Sequence, residues 1–385
     1  MSHIKCNYSI ECLKLERSNC GCSVLDRGWS SYLYFYLATL VGNPQSELEL
    51  GWQCQLSESV TGLRCAPDGA GWAASSAAGE VVWNSGSNQL VYLQPANGQA
   101  MQAVAFSADG CWLAAGGQAG KLLIWDCGNR QPPQLVQTIE IDEWIEHLIW
   151  HPSQPQLAIG SGNRVKIWDA TAKREVTTWT FDRSSIFDLA WHPDGTELAV
   201  AGYKGVQIWT PPAPKVAPQR IDVDTATIAI AWSADGRYLA AGNLDRTLKI
   251  VDRQQLADCW TLQGFEGKIR QLAWLVGTET PCLAVASGTT IVLWTASADA
   301  TTWESQLLTG HQDIVTAAIA HPQAPSLASG GADGYTCVWT ADGRVEQILS
   351  HPIASRFTQL SWHPDRLYLA TGTQSGHICL WMVPA

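Results

Sequence analysis

A seven-residue phrase recurs eight times along this chain of 385 residues, at nearly even steps. In order the copies are LRCAPDG from Leu63, VAFSADG from Val104, LIWHPSQ from Leu148, LAWHPDG from Leu189, IAWSADG from Ile230, LAWLVGT from Leu272, AIAHPQA from Ala318 and LSWHPDR from Leu360. The steps between them are 41, 44, 41, 41, 42, 46 and 42 residues. A second anchor follows each copy and ends at Trp83, Trp125, Trp168, Trp209, Val251, Trp294, Trp339 and Trp381. Such a period marks units that cannot bury their apolar faces alone and do so by stacking on their neighbours.

Each unit reads as short apolar strands. Around Trp191 these are SIFDLAW, ELAVAG and VQIW, then a looser strand in APQRIDV. Asp-Gly separates the first two, as a tight hairpin turn with glycine at positive φ requires. The second strands (LAAGG, LASGG, LAVAG) carry small residues, which let neighbouring sheets approach closely. No helical periodicity of useful length runs through the body. Four short strands at a period near 42 predict an all-β fold, a β-propeller of four-stranded antiparallel blades.

From about residue 50 to 385 the chain resembles WD40-repeat proteins. The unit TGHQDIVTAAIAHPQAPSLASGGADGYTCVWT is nearest that pattern. The resemblance implies that its His311, Ser329, Asp333 and Trp339 form a structural hydrogen-bonded tetrad. Other units depart from it: Asp245 stands without its Trp, and Trp-Asp itself occurs only at Trp125-Asp126 and Trp168-Asp169. Blade cohesion is therefore expected mainly from the repeated Trp and aliphatic residues. Eight three-strand sets leave seven outer strands between them, and ELGWQCQL (49–56) supplies an eighth that closes the ring onto the strand ending at Trp381. Eight blades are favoured, the alternative being seven with a degenerate first unit outside.

Composition narrows the function classes. The chain is 46% apolar and 15% charged, as packed proteins are. A net charge of −11 argues against broad binding to nucleic acid or anionic membrane. Of twelve cysteines, eight are scattered singly through the body. They read as buried thiols, and so many free thiols point to the cytoplasm.

Residues 1–48 are expected to be a non-repeat leader, either poorly ordered or upstream of a misassigned start, with the propeller spanning 49–385. Cys6, Cys12, Cys20 and Cys22 lack a Cys-x2-Cys knuckle or a histidine partner, so a zinc site is not expected there. WSSYLYFYLATLV (29–41) is too short for a spanning helix and is set too far in for an ordinary signal peptide.

Four histidines sit in His-Pro pairs, at His151, His192, His321 and His363. Equivalent points on a ring do not converge, as metal ligands must, so these read as turn residues. No phosphate-binding glycine loop, nucleophile elbow or repeated carboxylate pair occurs. No catalytic residue, metal or cofactor is expected. DATAKREVTTW (169–179) faintly resembles the tryptophan-docking repeat of quinone-dependent dehydrogenases, once only. The competing class is a propeller enzyme or a small-molecule or metal binder using the central channel; it predicts charged side chains converging there, whereas the innermost strands read as mostly aliphatic and neutral.

The family resemblance implies a protein–protein interaction scaffold that binds other proteins through residues near the start of each innermost strand. Here these include Trp144, Glu146, Phe187, Ile228, Lys268, Arg270 and Arg356. Aromatic anchors beside arginine make interface hot spots, and the arc suits a partner segment with apolar and some acidic character. Phe187 and Ile228 could instead turn inward and line the channel. PPAPKVAP (211–218) reads as a stiff spacer, and TASADATTWESQ (295–306) as a link with an exposed Trp303.

Overall fold

Runs of Val, Ile, Leu and Trp, broken every few residues by Gly, Asp or Pro, fold as thirty strands, with no helix among the described residues. The structure is a computed structural model and describes residues 47–86, 89–128, 132–211, 216–255, 259–364 and 368–383. The leader's cysteines, the apolar run 29–41 and positions 212–215 of the proline-rich link lie outside the described residues.

The strands form seven hydrogen-bonded sheets, six of four strands and one of six. The six-stranded sheet is two blades joined through long shared strands. Within Leu198–Trp209 the chain turns back at Lys204 and Gly205, whose φ values are 70° and 116°. Residues 198–201 pair with Asp188–Trp191, whereas 205–208 pair with 219–222. The strand Gln219–Trp232 also serves twice: after 222 it runs on into an inner strand, where 227–232 pairs with Tyr238–Asn243. The ring therefore holds eight blades of four strands.

The inner strands of blades 1 to 8 are Val60–Cys65, Met101–Phe106, Ile145–Trp150, Asp188–Trp191, residues 227–232, Ile269–Leu275, Val315–Ala320 and Phe357–Trp362. Each lies against the next, and the eighth lies against the first. Glu49–Gln55 closes the ring. It runs antiparallel to His377–Met382, with Leu50 opposite Trp381 and Gln53 opposite Cys379. Just ahead of it, Leu48 is buried; its N–H donates to Gln347 Oε1 and its carbonyl accepts from Gln347 Nε2, both at 2.8 Å.

The core sits between blades. Second strands such as Trp72–Ser76 and Tyr368–Thr373 are buried throughout, because a neighbouring blade covers each of their faces. The approach is close: a Cβ at Gly242 would lie 2.4 Å from Cγ2 of Ile269, the first residue of the next inner strand. Indoles fill the wider gaps, and Trp72, Trp125 and Trp339 are the largest fully buried side chains. Burial of each such side chain contributes about 3 kcal/mol.

The expectation of an exposed Trp303 is wrong. Its indole is 5% exposed and lies 5.7 Å from the Tyr238 ring and 6.0 Å from Trp260 and Trp274. The preceding link folds on itself, with Ser297 Oγ donating to Asp299 Oδ1 at 2.6 Å. Trp303 thus opens an outer strand opposite Ala296 and reaches into the gap between blades 5 and 6.

Candidate functional site at the opening of the ring

In seven of the eight inner strands the ladder slips between the first and third residues. The skipped residues are Thr61, Gln102, Glu146, Ile228, Arg270, Thr316 and Thr358. A bulge of this kind re-aims a side chain at the end of a strand. In blade 4 the equivalent residue is Phe187, whose N–H donates to Ala201 O at 2.9 Å. The side chains named from sequence at this position are thus the ones displaced from the sheet register, at one end of the channel.

The bulge residues divide the opening into two arcs. Thr61 Oγ1 donates to Met101 O of blade 2. Thr316 Oγ1 donates to Phe357 O of blade 8 at 2.5 Å, and Thr358 Oγ1 to Val60 O of blade 1 at 2.7 Å. These threonines join blades 7, 8, 1 and 2. Over blades 3 to 6 the same position holds Glu146, Phe187, Ile228 and Arg270, which make no such bond.

Around this second arc Trp144 is 45% exposed and Phe187 39%, while Ile228 and Glu146 are half-buried. Burial raises the Glu146 carboxyl above its ordinary value. Lys268, Arg270 and Arg356 are exposed, with no salt bridge among the described residues; Arg356 stands apart from the arc, beside blade 8.

Two further apolar residues join the arc from turns between second and third strands. Tyr203 is 47% exposed, with Lys204 Nζ 5.3 Å above its ring, and Leu244 is 39% exposed. Tyr203 N–H donates to Ser184 Oγ, and Leu244 N–H to Ala226 O, both at 2.9 Å, which fixes these turns beside the inner strands. Sequence reasoning missed both because it followed the inner strands alone. The signal was there: an aromatic and a leucine stand at turn positions where other units have Ala, Gly or Gln.

The inner strands are less neutral than their sequences suggest. Arg64 donates to Leu63 O at 2.7 Å and to Gln359 Oε1 at 3.3 Å, and burial lowers its affinity for a proton. Asp188 Oδ2 accepts from the Ile230 N–H of blade 5 at 2.8 Å, yet burial pushes its carboxyl up to about 6. Burial likewise brings His147 down to about 4, against a backbone hydrogen bond with Ile186. Each is bonded to the strands around it.

The tetrad residues come together. His311 Nε2 lies 2.8 Å from Ser329 Oγ, His311 Nδ1 lies 3.1 Å from Asp333 Oδ2, and Trp339 Nε1 donates to Ser329 Oγ at 2.8 Å. Blade 8 keeps part of this chain with a threonine that the sequence reading passed over: Trp381 Nε1 donates to Thr371 Oγ1 at 3.0 Å.

The His-Pro histidines do more than turn the chain. Nε2 of His151 faces Gly195 O at 3.0 Å, that of His192 faces Gly236 O at 3.0 Å, and that of His363 faces Gly69 O at 3.2 Å. Each acceptor is the turn glycine of the following blade. In His321 the ring Nδ1 accepts from the Gln323 and Ala324 N–H groups; residues 365–367 of the following blade's phrase are outside the described residues. The tryptophans before them reach the other way. Indole N–H groups of Trp150, Trp191, Trp232, Trp274 and Trp362 donate to Ala105, Ile149, Ala190, Ala231 and Ile319 carbonyls of the preceding blade, at 3.0, 3.3, 3.1, 3.0 and 3.4 Å.

Comparison with known proteins agrees with this geometry. The family model described as WD domain, G-beta repeat matches residues 88–126, 134–169, 173–210, 222–252, 303–340 and 343–382, together more than half of the chain. Blades 1 and 6 are unmatched; their repeat phrases are LRCAPDG and LAWLVGT. The chain is also similar to a Drosophila melanogaster protein named small ribosomal subunit protein RACK1, 28% identical over 95 residues. That match covers 25% of this chain and 29% of the fly protein. No helix among the described residues is long and apolar enough to cross a membrane.

Proposed function

Because the chain belongs to the WD40 repeat family, we propose that it is a non-catalytic protein–protein interaction scaffold of the cytoplasm whose partner segment docks over blades 3 to 6. The observation that carries this reading is the division of the bulge positions. Three threonines hold one arc together, while the other presents Phe187, Ile228 and Arg270 beside Trp144, Tyr203 and Leu244. Exposed aromatic side chains on a rigid backbone lose little entropy when they are covered, and neighbouring cations favour a partner with acidic groups. The eight cysteines of the repeat body are unpaired, which supports a reducing compartment.

The test is a pull-down with the protein carrying Trp144→Ala and Phe187→Ala together. Loss of two hot-spot side chains lowers partner affinity about tenfold or more. Ile353→Ala, an exposed residue ahead of the blade 8 inner strand, leaves recovery unchanged. Unchanged recovery with the double variant, at a wild-type melting temperature, would sink the proposed surface.

A further inference from the structure

At the other end of the channel the repeat breaks in one blade. The first residue of the seven-residue phrase is Ala318 in blade 7, where five other blades have Leu. Its third residue is Ala320, where five blades have Trp. Those five indoles each donate to a carbonyl of the preceding blade, at the second residue of its repeat phrase. The matching carbonyl before Ala320 is that of Ala273, and among the described residues no side chain donates to it. A ladder-bonded carbonyl still has a second lone pair for such a donor.

Leu275 and Cys282 pack with Ala318 in the core between blades 6 and 7. A cavity of about 280 Å³ remains, lined by the ends of the inner strands of blades 5, 6 and 7. Its lining residues include Trp232, Trp274, Leu272, Ile319 and Ala273, and it reaches exposed Ala234 at the surface. An apolar cavity of about 150 Å³ already admits a benzene ring, so this one has room for an indole.

We propose that this recess receives a single tryptophan side chain of a protein partner, on the face opposite the Trp144–Phe187 arc. Five equivalent places in the ring are filled by an indole, which favours an aromatic guest here. The Ala273 carbonyl selects one with an N–H donor, as the equivalent carbonyls do in five places within the ring. The site is independent of the docking arc, so a partner engaging both faces is held at two separated points.

The test uses the full chain and N-acetyl-5-fluorotryptophanamide as probe, followed by fluorine NMR. Saturable binding in the millimolar range is expected for so small a guest. Ala320→Trp, which restores the repeat, abolishes it. Ala318→Leu reports the same blockage should the larger substitution disturb folding. The indole-N-methylated probe binds about fivefold more weakly, having lost its donor. Equal binding to wild-type and both filled variants overturns the site, and equal binding of the N-methylated probe overturns indole recognition. If the probe binds only after Trp29→Ala, this chain's own tryptophan is the guest and the partner assignment falls.

Discussion

His151 in blade 3 presents Nε2 to the carbonyl of Gly195 in blade 4 at 3.0 Å, and Trp191 of blade 4 returns an indole hydrogen bond to Ile149 of blade 3 at 3.3 Å. The two rings also meet, with centroids 4.8 Å apart. Each blade boundary of this kind is thus held in both directions by residues of one short phrase. The Ser153 and Gln154 N–H groups both point at His151 Nδ1, which leaves the proton on Nε2 for the glycine carbonyl.

Gly195→Ala should therefore cost more than an ordinary turn glycine. Its φ is 79°, and a Cβ there would lie 2.2 Å from His151 Cε1. Gly98 has a similar φ of 77° with open space around it. Gly98→Ala is expected to cost about 1 kcal/mol of backbone strain, and Gly195→Ala at least about 2 kcal/mol more as the boundary opens. Urea unfolding of both variants checks the difference; equal losses would mean that the histidine contact contributes nothing.

Ser329→Ala removes the hydroxyl that accepts from the Trp339 indole and donates to His311 Nε2, whose ring proton is held on Nδ1 by the Asp333 carboxylate. Both partners are buried, so a loss of about 2–3 kcal/mol is expected, seen as a lower denaturation midpoint at unchanged m-value. Ser329→Thr should recover most of it, since Thr371 plays the equivalent part beneath Trp381 at 3.0 Å.

Blade 6 offers the reverse experiment. Val285 occupies the place of Ser329, and the Trp294 indole nitrogen is buried without a partner. Val285→Thr supplies an acceptor at almost unchanged volume and is expected to stabilise the fold by about 1 kcal/mol. A calorimetric melting temperature at or below wild type would refute this.

Two inner-strand groups give opposite pH slopes. Asp188 is raised to about 6 in the fold, so its contribution is fully present below the ordinary carboxylate value and is lost as pH rises through about 6. His147 is lowered to about 4, so its contribution is present above the ordinary histidine value and is lost as pH falls towards about 4. Between these limits Asp188→Asn should make stability rise more steeply with pH than wild type, and His147→Gln should make it fall. Denaturant midpoints measured from pH 4 to 6.5 decide it.

Much of the ring was legible because its constraints are local and repeated. The Asp-Gly turns, the small second strands and the anchoring tryptophans each recur, so one register determines eight blades, and ELGWQCQL had to find an edge. What was not legible depends on neighbours distant in sequence. Nothing near His151 says that its ring meets a glycine 44 residues later. Trp303 sits in a polar link, and only the assembled ring brings Tyr238 and Trp274 to it. In the proposed docking arc, Trp144 and Phe187 followed from the inner strands, whereas Tyr203 and Leu244 come from turns that only the fold carries alongside them.

The closing blade imposes an order on synthesis. Glu49–Gln55 is translated first, but its partner His377–Met382 leaves the ribosome only after more than three hundred further residues. At roughly 5–20 residues per second that is on the order of half a minute. For that time the first strand is an unpaired edge, and seven finished blades have nothing to lock them into a circle. Until then the nascent chain is an open arc, with the strand that carries Trp52 and Cys54 waiting uncovered at one end.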